Sequence, residues 1–120
     1  MSNDPKYWNG TISELVEVSH ETAVEKGWHD STREAPELLC LIHSEVSEVL
    51  EEYRNGRGYT EVYYNESKPD KPEGIPIELA DIVIRIADMC GAYEIDLDAA
   101  LRTKLAYNQS RPYRHGGKKA

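Results

Sequence analysis

Two pairs of acidic residues share one spacing along the chain: Glu45 with Glu48, and Glu78 with Asp81. Residues three apart on a helix project from the same face, so each pair offers two carboxylates side by side. Two such pairs on adjacent helices gather four carboxylates at one place, where they repel one another, and the usual remedy is a hard divalent cation with oxygen ligands. Magnesium keeps several of its waters and is completed by substrate phosphates, so the pattern predicts a phosphate-bearing ligand beside the metal. Further on, Lys104, Asn108 and Arg111 stand at i, i+4 and i+7. They put a point charge, an amide and a planar fork on one helix face, a set suited to phosphate oxygens. Trp28 and the tyrosines Tyr59, Tyr63 and Tyr64 supply flat aromatic faces on which a nucleobase can stack. Each feature also has a plainer reading: a solvated acidic face, a basic helix end favoured by the helix dipole, and a Trp28 that anchors the core.

The elements that must position these residues are helices. Thr11 with Glu14 forms a capping-box pattern ahead of Ile12, Leu15, Val16, Ala23 and Val24 at helical spacing, and Gly27 closes this first helix. Ser31 with Glu34 repeats the cap, and Leu38, Leu39, Ile42, Val46, Val49, Leu50 and Tyr53 form a stripe that runs to Asn55 and Gly56. Glu45 falls inside that stripe, while Glu48 and Glu52 lie at its border. Residues 57–75 hold Gly, Pro, Lys and three tyrosines without a clean period, which predicts a long loop or a short hairpin. Pro76 suits the first turn of a third helix ending near Gly91, and Asp96 can cap a fourth through Leu97, Leu101 and Leu105 to about Ser110. The third helix confines Glu78, Asp81, Arg85 and Asp88 to one arc and is apolar elsewhere. Its acids therefore belong to a mostly buried helix and need partners. An all-α, four-helix bundle-like subunit follows, with enough apolar surface on the third helix to require a dimer or tetramer.

With these elements in place, the chain resembles a known family. The run Ser44-Glu45-Val46-Ser47-Glu48-Val49-Leu50-Glu51-Glu52, followed by Glu78-Leu79-Ala80-Asp81-Ile82-Val83, is similar to the ExxE and ExxD signature of MazG-like all-α nucleoside triphosphate pyrophosphohydrolases. The segment from Lys104 through Asn108, Arg111, Arg114 and His115 resembles their C-terminal Lys, Asn, Arg-Pro and His-Gly pattern, so the resemblance spans roughly residues 10–117. It implies a single domain over 1–120 with a basic tail at 112–120. It also implies hydrolysis of a nucleoside triphosphate to the monophosphate and pyrophosphate, in the service of nucleotide-pool house-cleaning. The metal would be Mg2+, with Mn2+ able to substitute, held by Glu45, Glu48, Glu78 and Asp81. Lys104, Asn108, Arg111 and Trp28 would contact the substrate in a homo-oligomer.

Composition narrows the classes. The 120 residues carry 22 acidic against 14 basic side chains, a formal net charge of −8, which argues against a protein that tracks a nucleic acid polymer. No stretch approaches a membrane span and no apolar signal segment opens the chain, so a soluble, cytoplasmic protein is expected. Cys40 and Cys90 fall in apolar helical patterns and read as buried thiols. Glu17 and His20 form one ExxH, half of what a di-iron carboxylate bundle needs, and its second copy is absent. His29-Asp30 reads as a turn and cap pair rather than as a phosphohydrolase dipeptide. The remaining rival is a non-enzymatic helical interaction module whose acidic stripe meets a basic partner.

Overall fold

A computed structural model describes residues 8–31 and 34–113, so Arg114, His115 and the rest of the basic tail lie outside the described residues. The first helix, α1 (Ile12–Glu25), starts where Thr11 Oγ1 accepts the Glu14 N–H at 3.2 Å. This satisfies one of the amide groups that every helix start leaves free. Beyond its end, Gly27 takes a φ of +83°, a left-handed turn that favours glycine. The second helix, α2, runs over Ala35–Arg54.

Its start corrects the expected cap at Ser31: the N-cap is Glu34, without a side-chain hydrogen bond, and Pro36 sits in the first turn. A helix begun at Ser31 would place Pro36 in its second turn. There the missing N–H and the ring clash cost about 3 kcal/mol, so the proline moves the start downstream.

Between α2 and the third helix lies the short hairpin, β1 (Tyr63–Tyr64) antiparallel to β2 (Pro72–Glu73), with Tyr63 opposite Glu73 and Tyr64 opposite Pro72. Tyr63 ties it to α2, its hydroxyl donating to Glu52 Oε1 at 2.8 Å. Gly74 then turns the chain with a φ of +121°, and any side chain there would collide with the Glu61 carbonyl. Helix α3 (Ile75–Ala92) follows, with Pro76 in its first turn as expected. Helix α4 (Leu97–Ser110) begins where Asp96 Oδ1 accepts the Ala99 N–H at 3.0 Å.

The architecture is all-α with a small hairpin. α3 is its axis: α1 packs along one side, α2 along another, and β2 meets its start. α4 rests mainly on α1 and buries none of its side chains, so the four helices do not close round one core. The buried apolar set is small, namely Ala23, Leu38, Ile75, Ala87 and Cys90. Leu79, Val83 and Ile84 on α3 are exposed, as are Val46 and Leu50 on α2. Cys40 is exposed too, a correction to its expected burial, whereas Cys90 is buried. The α2 stripe is wider than the strip α3 can cover: Leu38 and Glu45 are turned inward while Leu39, Cys40 and Val46 flank them. Among the described residues no helix is long and apolar enough to cross a membrane.

Candidate functional site

The packing of α2 on α3 brings the two acid pairs together. Glu45, Glu78 and Asp81 each offer a carboxylate oxygen, and these oxygens lie within 4.8 Å of one another. Glu48, more exposed, is hydrogen-bonded to Glu78. Glu45 is the deepest member at 7 % exposure, and its Oε2 is buried with no hydrogen-bond partner among the described residues. Its Oε1 lies 3.0 Å from Arg85 Nε, close enough for an ion pair but without the alignment of a hydrogen bond. Among the described residues, Arg85 is the cation paired with a member of this acid group.

Electrostatics follows from that crowding of acids. Burial, then the hydrogen bond to Glu48, then repulsion from Glu48, Glu45 and Asp81 push the Glu78 carboxyl up to about 7. The Glu45 carboxyl is also raised, first by burial and next by sharing a hydrogen bond with Asp81, with Arg85 pulling the other way. Burial and crowding by like charges thus favour the neutral form of both Glu45 and Glu78 in the metal-free protein. Closely spaced, mutually repelling carboxylates with one unpartnered oxygen are a donor set that suits a hard divalent cation.

The remaining candidates are placed less closely. Trp28 is 41 % exposed and lies in the connection between α1 and α2, with the Arg85 guanidinium 4.8 Å from its ring centroid. Through Arg85 it is one contact removed from Glu45. Lys104 and Asn108 are exposed on α4, and Lys104 and Arg111 both lie over the Tyr107 ring, at 5.0 and 5.4 Å. Because α4 rests on α1 rather than α2, one subunit does not bring this cationic face onto the acid cluster. Tyr59 stacks on Tyr53, Tyr64 is exposed, and Tyr63 is engaged with Glu52, which ties the hairpin to α2.

Comparison of the chain with protein-family models, with curated proteins and with solved structures finds no match in any of the three. The chemistry therefore has to be read from the residues themselves.

A second constellation escaped the sequence reading. Asp88, buried at 5 % exposure on α3, receives His20 Nδ1 from α1 and His29 Nε2 from the connection after α1, both 2.9 Å from its Oδ1. His29 is thus a tertiary contact and not only part of a turn, and His20 is committed to Asp88 while Glu17 is exposed. The available signal was Asp88 itself: an acid on the charged arc of a mostly apolar helix needs partners, and nearby histidines are the natural supply.

Proposed function

We propose that this chain is a magnesium-dependent nucleoside triphosphate pyrophosphohydrolase of the MazG-like kind. The observation that carries the reading is the convergence of Glu45, Glu78 and Asp81 within 4.8 Å, with a buried Glu45 Oε2 that no donor meets. Glu45, Glu78 and Asp81, joined by Glu48, would hold Mg2+, or Mn2+ in its place. When bound, the ion would neutralise charge on the phosphates and acidify a water. The protein's own groups do the rest. Arg85 offsets part of the acid charge and steadies Glu45, and Trp28 presents a face for a base beside Arg85.

Lys104, Asn108 and Arg111 remain the proposed phosphate-binding face. The separation of α4 from the acid-bearing α2 within one subunit, together with the exposed apolar side chains of α2 and α3, favours a homo-oligomer in which neighbouring copies complete each other's sites. The test is a screen of canonical and modified nucleoside triphosphates with magnesium, detecting monophosphate and pyrophosphate. Magnesium-dependent release of both products is expected for at least one nucleotide. Release of orthophosphate instead, or no turnover of any, would overturn the assignment and leave the interaction module as the better reading.

A further inference from the structure

We propose that His20, His29 and Asp88 form a second metal site, distinct from the acid cluster, that takes a borderline transition ion such as zinc rather than magnesium. The three ligands come from α1, from the connection after it and from α3, and their ligand atoms lie within 4.8 Å of one another. Two imidazoles and a carboxylate are the donor set of zinc and its neighbours, whereas magnesium prefers oxygen alone.

In the metal-free protein the three groups form a hydrogen-bonded trio: both ring nitrogens sit 2.9 Å from the same oxygen, Oδ1, and His29 also lies 3.1 Å from Oδ2. Tetrahedral zinc with ligands about 2.0 to 2.1 Å away separates ligand atoms by about 3.3 Å, so an ion replacing the shared protons need lengthen each nitrogen–Oδ1 contact by only a few tenths of an ångström. The histidine side chains, 31 % and 20 % exposed, leave room for that movement and for entry of an ion.

Two further observations mark the place as built. Gly91 lies within α3, and a Cβ there would meet His20 Cβ at 2.5 Å and Cγ at 2.9 Å. A glycine inside a helix costs up to about 1 kcal/mol relative to alanine, and here it admits His20 against α3. Beside His29 and Asp88 lies a cavity of about 10 Å³, also bordered by Trp28, Leu38 and Arg85, with space for about one water. Zinc with three protein ligands keeps its fourth position for such a water.

The test uses the full chain, stripped of metal, in a Cys40→Ser background that removes the exposed thiol, with saturating magnesium to occupy the acid cluster. Zinc and cobalt are then titrated separately. We expect one zinc per chain at micromolar affinity, a raised melting temperature, and visible cobalt absorption of the four-coordinate kind. His20→Asn and His29→Gln should each weaken binding at least about tenfold, while Glu78→Gln leaves it unchanged. Ring-proton resonances of the parent, in which both histidines should move together on adding zinc, give a readout should the variants fail to fold. No stoichiometric binding, binding indifferent to both histidines, or histidine resonances unmoved at saturating zinc would overturn the proposal. Because no nucleotide enters the experiment, its outcome is separate from that of the hydrolysis screen.

Discussion

Asp81 and Asp88 lie on the same helix face, two turns and about 10 Å apart, yet they live under opposite conditions. Around Asp81 the neighbours are Glu45 and Glu78, and among the described residues the cation of this group is Arg85, paired with Glu45. Around Asp88 the neighbours are two imidazoles that donate to it. The first region stores repulsion and the second is satisfied as folded. Excess like charge held in place by packing is what a bound cation would relieve; an acid met by two imidazoles is already satisfied in the metal-free protein. The same residue type on one helix serves either end according to what the facing elements supply.

Removing charge should separate the two regions most sharply in catalysis. Glu48→Gln and Asp81→Asn keep shape but delete a ligand charge, and each should lower turnover by more than about a hundredfold while the helical signal is retained. Near-parental hydrolysis in both would place the metal elsewhere.

In stability the two regions should respond with opposite sign. Asp88→Ala discards two hydrogen bonds to a charged acceptor and strands the histidines, a loss of about 3 kcal/mol, or roughly 12 °C in Tm for a domain of this size. Glu45→Gln, made in metal-free protein, relieves repulsion and should leave Tm unchanged or raised. Equal destabilisation by both would erase the distinction drawn here.

A smaller effect is the pH dependence of metal-free stability. Glu78 holds its proton up to about pH 7 when folded but only to about 4.5 when unfolded. Between those values the folded state binds more protons, so stability should fall as pH rises. Saturating magnesium should flatten or reverse that slope, because the ion then takes the proton's place. Thermal melts from pH 5 to 8, with and without the metal, decide it; a metal-free stability that rises with pH would contradict the crowding of the acids.

Local signals were legible and long-range ones were not. Thr11, Pro76 and Asp96 act within a turn of their own positions, so the starts of α1, α3 and α4 could be read directly. Pro36 is just as local, but a capping-box reading at Ser31 with Glu34 takes no account of it. The acid pairs were readable because their spacing is helical and the two helices pack as neighbours. The stripe on α4 was not a guide to burial: Leu101 and Leu105 are exposed, since amphipathic spacing says that a helix has a face and not that the same subunit covers it. His20, His29 and Asp88 come from three separate stretches of chain, and only the packing of α1 on α3 unites them.

Gly74 also sets which parts of the chain could accept inserted sequence. At the far end of the hairpin the chain is exposed, and Asn65 organises it by accepting the Ser67 and Lys68 N–H groups on its side chain. Residues added between Ser67 and Asp70 would extend into solvent with the helices undisturbed. At the base there is no such latitude, because Gly74 rests against the Glu61 carbonyl immediately before α3 begins. An added residue there would break the close approach of Gly74 to Glu61 and disturb the first turn of α3, on which Glu78 stands. A peptide tag or fluorescent reporter therefore belongs at the hairpin tip, some distance in sequence from the four acids and on a segment they do not depend on.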